Sequence, residues 1–176
     1  NPQSLALADS ELSVNYHQLT NDVFKISNLF HRLGMKAKDR VIVSLGNKVL
    51  QMYYHYGVIL GGGVCVPLPM NLNDKRLSYH QEDTESILTI KPSGIFDSQG
   101  TKISDLKDYE SCDKNIFPQP LDQLASIMYT TGSTRYPKGV MLSQQTLISA
   151  LDHILQYLKY DGHERELVLL PISHSF

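Results

Sequence analysis

The sequence predicts an α/β fold in which helices flank a sheet. Two observations carry this. Segments with helical period alternate with strand-like segments along the chain. The strand-like segments include mainly apolar runs such as Arg40–Leu45, the pattern of strands covered on both faces. The length of 176 residues, 41% of them hydrophobic, suffices for one sizeable core, as one domain or part of a larger one.

The first helix spans Tyr16–Leu33, where Leu19, Val23, Ile26, Phe30 and Leu33 recur at three- and four-residue steps and form one apolar stripe. Asn15 and Gln18 stand at capping-box spacing, and Gly34 is placed to end the helix. A strand follows over Arg40–Leu45. Asn47 caps a second helix, Lys48–Leu60, which the glycine run Gly61–Gly63 stops. Val64–Leu68 is the next strand, with Pro67 marking its end. A short polar helix over Asp74–Asp83 precedes a strand at Ser86–Ile90. Gly94–Asp97 and Thr101–Ser104 flank a Ser-Gln-Gly turn and predict a hairpin. Asp105–Pro120 is polar and proline-bounded, a surface connection. Ala125–Tyr129 is a strand. Ser143 caps a long helix to about Tyr160, with Leu147, Leu151, Ile154, Leu155 and Leu158 as its expected buried face. Leu167–Leu170 is expected to be a final strand.

Composition removes several function classes. A net charge of −2 without blocks of like charge argues against a nucleic-acid partner. No apolar stretch is long and unbroken enough to span a bilayer; Tyr56–Met70 is interrupted by Gly61, Gly62, Gly63 and two prolines. Cys65 and Cys112 form no metal-binding or disulfide pattern, which fits reduced thiols in a cytoplasmic protein. The tyrosines at 53, 54 and 56 read as packing rather than base stacking. No metal-ligating cluster is expected, because His17, His31, His55, His80, His153 and His163 lack ligand spacing.

Chemistry concentrates in Tyr129–Val140, read as a turn between a strand and a helix. Thr130, Thr131, Ser133 and Thr134 offer hydroxyl donors, Lys138 a positive charge, and Gly132 and Gly139 close backbone approach. Backbone amides in such a turn can converge on an anion. These are the parts of a triphosphate cradle. It is not a Walker A loop, which needs Gly-Lys-Ser/Thr, whereas Pro137 precedes Lys138. The length and order of the motif weigh against a plain polar surface loop.

This segment resembles the phosphate loop of the adenylate-forming superfamily, which comprises acyl-CoA synthetases, peptide-synthetase adenylation domains and luciferases. Its loop reads Thr/Ser-Ser/Gly-Gly-Ser/Thr-Thr-Gly-x-Pro-Lys-Gly, and Thr130–Gly139 match it in register. Arg135 is the departure, standing where the family has glycine. Arginine there either strains the backbone and weakens ATP binding or adds a cation for phosphate, and the sequence leaves both open. The resemblance runs along the chain: Asn15–Leu19 is similar to Thr-Tyr-x-Glu-Leu, Lys38–Val41 to Gly-Asp-Arg-Val, and Ile59–Pro67 to Lys-Ala-Gly-x-x-x-x-Pro. Leu170–Phe176 resembles the Pro-Leu-Phe-His-x-x-Gly segment of acyl-CoA synthetases, with His174 on its histidine.

The resemblance implies the N-terminal portion of the large AMP-binding domain over residues 1–176, sheets flanked by helices, incomplete in this chain and without the C-terminal catalytic domain. It implies ATP-dependent activation of a small carboxylic acid as an acyl-adenylate, then transfer to coenzyme A, with Mg2+ as ATP's counter-ion. Thr130, Thr131, Ser133, Thr134 and Lys138 would hold the β- and γ-phosphates, Gly132 and Gly139 would shape the loop, and His174 would border the reacting carboxylate. The alternatives are an adenylation domain loading an amino or acyl group onto a carrier protein, and a non-catalytic member marked by Arg135. The chain alone is expected to be inactive, with unpaired sheet edges that favour self-association.

Overall fold

The computed structural model describes residues 1–46, 48–109, 119–130 and 137–173. A two-stranded ribbon, β1 (Leu5–Ala8) and β2 (Ser13–Asn15), leads directly into helix α1 (Tyr16–Arg32). Then follow β3 (Arg40–Val43), α2 (Val49–Leu60), β4 (Val64–Pro67), α3 (Asp74–Thr84) and β5 (Leu88–Lys91). The remainder is β6 (Gly94–Asp97), β7 (Lys102–Ser104), β8 (Leu124–Thr130), β9 (Lys138–Ser143) and α4 (Gln144–Leu158). Strands β3 to β9 form one seven-stranded sheet in the order β7-β6-β5-β3-β4-β8-β9. The central strands β5, β3, β4 and β8 run parallel, and antiparallel strands close both edges.

Strand alternation divides the core between two layers. Val41 and Val43 of β3, Cys65 of β4, and Leu88 and Ile90 of β5 join Ile26 and Phe30 of α1 and Tyr54 and Val58 of α2. Ile42, Val66 and Tyr129 face the other way and meet Leu77 of α3. The sheet is thus covered by α1 and α2 on one side and by α3 on the other, the α/β arrangement the sequence predicts. Tyr53 and Tyr54 are core residues, as their packing reading requires, while Tyr56 is exposed.

The helix ends follow local chemistry. Asn15 and Gln18 form the expected capping box: the Gln18 N–H donates to Asn15 Oδ1 at 2.8 Å, and the Asn15 N–H donates to Gln18 Oε1 at 2.9 Å. Helix α2 is capped from outside its own segment. The Asp9 carboxylate, in the β1–β2 turn, accepts the Val49 N–H at 2.8 Å, and that bond holds the Asp9 carboxyl below its ordinary range. Asn47, the cap expected from sequence, lies outside the described residues. The α1–α2 approach depends on Gly57, where a Cβ would come within 2.5 Å of Ile26 Cγ2.

Four expectations are corrected. β1 and β2 were not expected, because three- and four-residue strands carry too little periodicity to read. The segment after the candidate loop is a strand, β9, before it becomes a helix. The face of α4 expected to be buried is open: Leu151, Ile154, Leu155 and Leu158 are 39–54% exposed and Leu147 is half-buried. Its 3.6-residue apolar period is real, but a stripe buries only where a partner packs on it, and none does among the described residues. Leu167–Leu170 is irregular and 56–82% exposed, since a strand needs a neighbouring ladder and this segment has none among the described residues.

Between α2 and β4, Cys65 Sγ lies 3.3 Å from His55 Nδ1. Burial raises the thiol and lowers the imidazole to about 4, so the contact joins a neutral thiol and a neutral ring. Two expected outcomes follow from these contacts. Gly57→Ala should destabilise the fold by about 1–2 kcal/mol in urea titrations, overpacking outweighing the gain in helix propensity. For His55, the unfolded ring takes up its proton near 6.5 and the folded ring only near 4. Acidification through that window therefore favours the unfolded state, and stability should fall by up to ~3 kcal/mol. Urea midpoints measured across the window should show that slope, and His55→Gln should make it shallower.

Candidate functional site

Strands β8 and β9 bring the two ends of the candidate phosphate loop together. Thr130, the last residue of β8, is the register partner of Lys138, the first of β9, and Tyr129 is the partner of Gly139. The Thr130 hydroxyl donates to the Lys138 carbonyl at 3.5 Å. Lys138 is exposed, so its ammonium is available beyond the sheet edge. Thr131, Gly132, Ser133 and Thr134, with Arg135 and Tyr136, lie outside the described residues, as does His174. The structure thus brings Thr130, Lys138 and Gly139 into one place.

The loop is the connection of an antiparallel hairpin. The expected strand-to-helix turn is corrected: α4 begins only at Gln144, after β9, with Ser143 accepting the Thr146 N–H at 3.1 Å as its cap. The α4 N-terminus is therefore separated from Lys138 by the length of β9. Any cradle here is formed by hairpin backbone and side chains, without the helix end that serves a Walker loop. The readable signal was Val140-Met141-Leu142, a short apolar run after Lys-Gly.

Gly139 serves packing as well as the loop. A Cβ there would come within 2.8 Å of Ile127 Cγ2 and 3.4 Å of Tyr129 Cζ, so glycine lets β9 lie close over the side chains of its neighbour. Beneath the hairpin is a cavity of about 350 Å3 lined by Tyr79, Asp83, Tyr129, Pro137, Lys138 and Gly139, among others. The Tyr129 hydroxyl donates to Asp83 Oδ2, and the Tyr79 hydroxyl donates to the Pro137 carbonyl at 3.2 Å. Burial, with the Asp83 hydrogen bond second, raises the Tyr129 phenol. The buried His80 ring sits edge-on to Tyr129, centroids 4.2 Å apart, and burial lowers its imidazole. Tyr79, Asp83 and the core histidine were not read from the sequence, because a phenol and a carboxylate on a polar helix carry no motif.

A larger groove of about 750 Å3 lies elsewhere, between β1, the start of α2 and residues 167–172. It is mainly apolar, and its two charged groups are engaged: Asp9 with the Val49 amide, and Lys48 with Glu11. Among the described residues, no group of three His, Cys, Asp or Glu side chains is arranged to hold a metal ion. No helix among the described residues is long and apolar enough to cross a membrane.

Comparison with known proteins gives the family and the fold. Enterobactin synthase component F of Escherichia coli is 31% identical over 98% of this chain, which spans 14% of that protein. The ATP-bound structure of MatB from Rhodopseudomonas palustris matches 99% of this chain with a TM-score of 0.84 at 22% identity, the chain spanning 38% of it. O-succinylbenzoate coenzyme A synthetase from Bacillus subtilis, in complex with AMP, matches 98% with a TM-score of 0.83 at 21% identity. This chain spans 47% of that structure. All of residues 1–176 match the family described as AMP-binding enzyme, and the chain belongs to that family.

Proposed function

We propose that residues 1–176 are the N-terminal portion of the large domain of an ATP-dependent acid ligase, supplying its phosphate-binding loop. The observation that carries this is the hairpin that sets Thr130 opposite Lys138 at the two ends of a segment matching the family loop in register. ATP has its triphosphate held here while a carboxylate attacks the α-phosphorus and pyrophosphate departs. Lys138 provides a point charge for the leaving pyrophosphate. The hydroxyls of Thr130, Thr131, Ser133 and Thr134 donate to β- and γ-phosphate oxygens, and Gly132 and Gly139 keep the backbone close. Magnesium enters with ATP as its counter-ion, held by phosphates.

The acceptor in the first reading is coenzyme A, giving an AMP-forming acyl-CoA synthetase. It is supported by the likeness of Leu170–Phe176 to the acyl-CoA synthetase segment, with His174 bordering the reacting carboxylate. The second reading is an adenylation domain that loads an amino or acyl group onto a carrier protein, supported by the likeness to enterobactin synthase component F. A cytoplasmic location suits both and agrees with the free, buried Cys65. Self-association of the isolated chain through its exposed β9 edge accords with Val140 and Met141 being 41% and 67% exposed.

The test is ATP–pyrophosphate exchange by the enzyme carrying this chain, over a panel of carboxylic and amino acids. The expected result is acid-dependent exchange that Lys138→Ala lowers about 10- to 100-fold, the loss of one charge-assisted contact. Residues 1–176 alone should give no exchange. Thioester formation on coenzyme A would favour the first acceptor, and formation on a pantetheinylated carrier the second. Nucleotide binding without exchange for any acid would identify a non-catalytic member, and absence of nucleotide binding would overturn the reading.

A further inference from the structure

We propose that Tyr79 and Asp83 are positioning residues that clamp both legs of the phosphate loop to helix α3. They stand four residues apart, on one face of the helix. Asp83 takes the leg that enters the loop, through the Tyr129 hydroxyl, and Tyr79 takes the leg that leaves it, through the Pro137 carbonyl at 3.2 Å. Between them the His80 ring packs edge-on against both phenols, at 4.2 Å from Tyr129 and 5.3 Å from Tyr79. Two hydrogen bonds and an aromatic wedge thus fix where a hairpin at the sheet edge begins and ends.

A clamp works only if its base is fixed, and α3 is tied at both ends. Asn73 Oδ1 accepts the Arg76 N–H at 2.9 Å at the N-terminus. At the C-terminus the Arg40 guanidinium, from β3, donates to the Thr84 carbonyl at 2.5 Å and the Glu85 carbonyl at 3.0 Å. The Arg40 side chain also pairs with the Glu85 carboxylate at 2.9 Å. Leu77 anchors the middle of the helix against Ile42 and Val66. The loop is thereby referenced to the central parallel strands through α3, in addition to its own β8–β9 ladder.

The role rests on the proposed triphosphate-binding reading, and its test separates the two. Asp83→Asn keeps an acceptor for the Tyr129 hydroxyl, Asp83→Ala removes it, and Tyr79→Phe deletes one hydroxyl. Loss of loop placement weakens ground-state and transition-state grip alike. KM for ATP should therefore rise about 5- to 10-fold in Asp83→Ala and Tyr79→Phe, with kcat within twofold and KM for the acid unchanged. Asp83→Asn should restore near-wild-type values. In parallel, amide hydrogen exchange of residues 129–140 should accelerate in Asp83→Ala and Tyr79→Phe and not in Asp83→Asn, while that of α1 and α2 stays unchanged. Unchanged exchange in residues 129–140, or acceleration throughout the chain, would overturn the clamp whether or not the enzyme turns over. Faster local exchange with wild-type KM for ATP would overturn its role in nucleotide binding. Wild-type enzyme lacking turnover with every acid would instead count against the proposed function, leaving hydrogen exchange to decide the clamp.

Discussion

The β3–β4 ladder is buried on both faces, and the rest of the structure is arranged around it. Arg40 to Val43 pair in register with Val64 to Pro67, and Val41, Ile42, Val43, Cys65 and Val66 retain no solvent exposure. Backbone groups at that depth must find partners within the sheet. Side chains that alternate between two dry faces demand a helical layer on each. α1 and α2 meet one demand and α3 meets the other. α3 is therefore a structural necessity of the parallel core before it has any role beneath the loop.

That constraint explains how a loop on a sheet edge can be well placed. β8 joins β4 through the Cys65–Ser126 pairing, and the Ser126 hydroxyl donates to the Cys65 carbonyl at 2.9 Å. β9 is held by β8, and Tyr129 reaches back across the sheet to α3. Thr130 and Lys138, two of the residues proposed for phosphate binding, thus sit one strand pair away from a buried core. Precise placement is what binding a charged triphosphate requires, because the benefit of each donor falls steeply with misalignment.

The open surface follows from the same logic. Among the described residues, β9 has its outer edge free, α4 turns an apolar stripe outward, and Leu167–Leu170 is exposed. These apolar groups have the composition of a core without its partner. This chain spans 38–47% of the solved structures it matches in fold.

Much of the architecture is determined by the sequence alone, because its causes are local. The Asn15/Gln18 capping box, the Gly34 stop at φ +90°, the apolar run of β3 and the Ser143 cap are each written in adjacent residues. So is the order of hydroxyls, glycines and lysine in Thr130–Gly139 on which the proposed phosphate loop rests. Only tertiary structure decided that Asp9 caps α2, that the loop closes a hairpin, that α4 has no cover among the described residues, and that Tyr79 and Asp83 bond to Pro137 and Tyr129 at the loop's two ends. The Asp9, Asp83 and Tyr79 contacts join residues 40 to 58 positions apart, as in Asp9–Val49 and Tyr79–Pro137. Which of many exposed polar side chains meets which is fixed by the packing of the sheet, and leaves no period or motif behind.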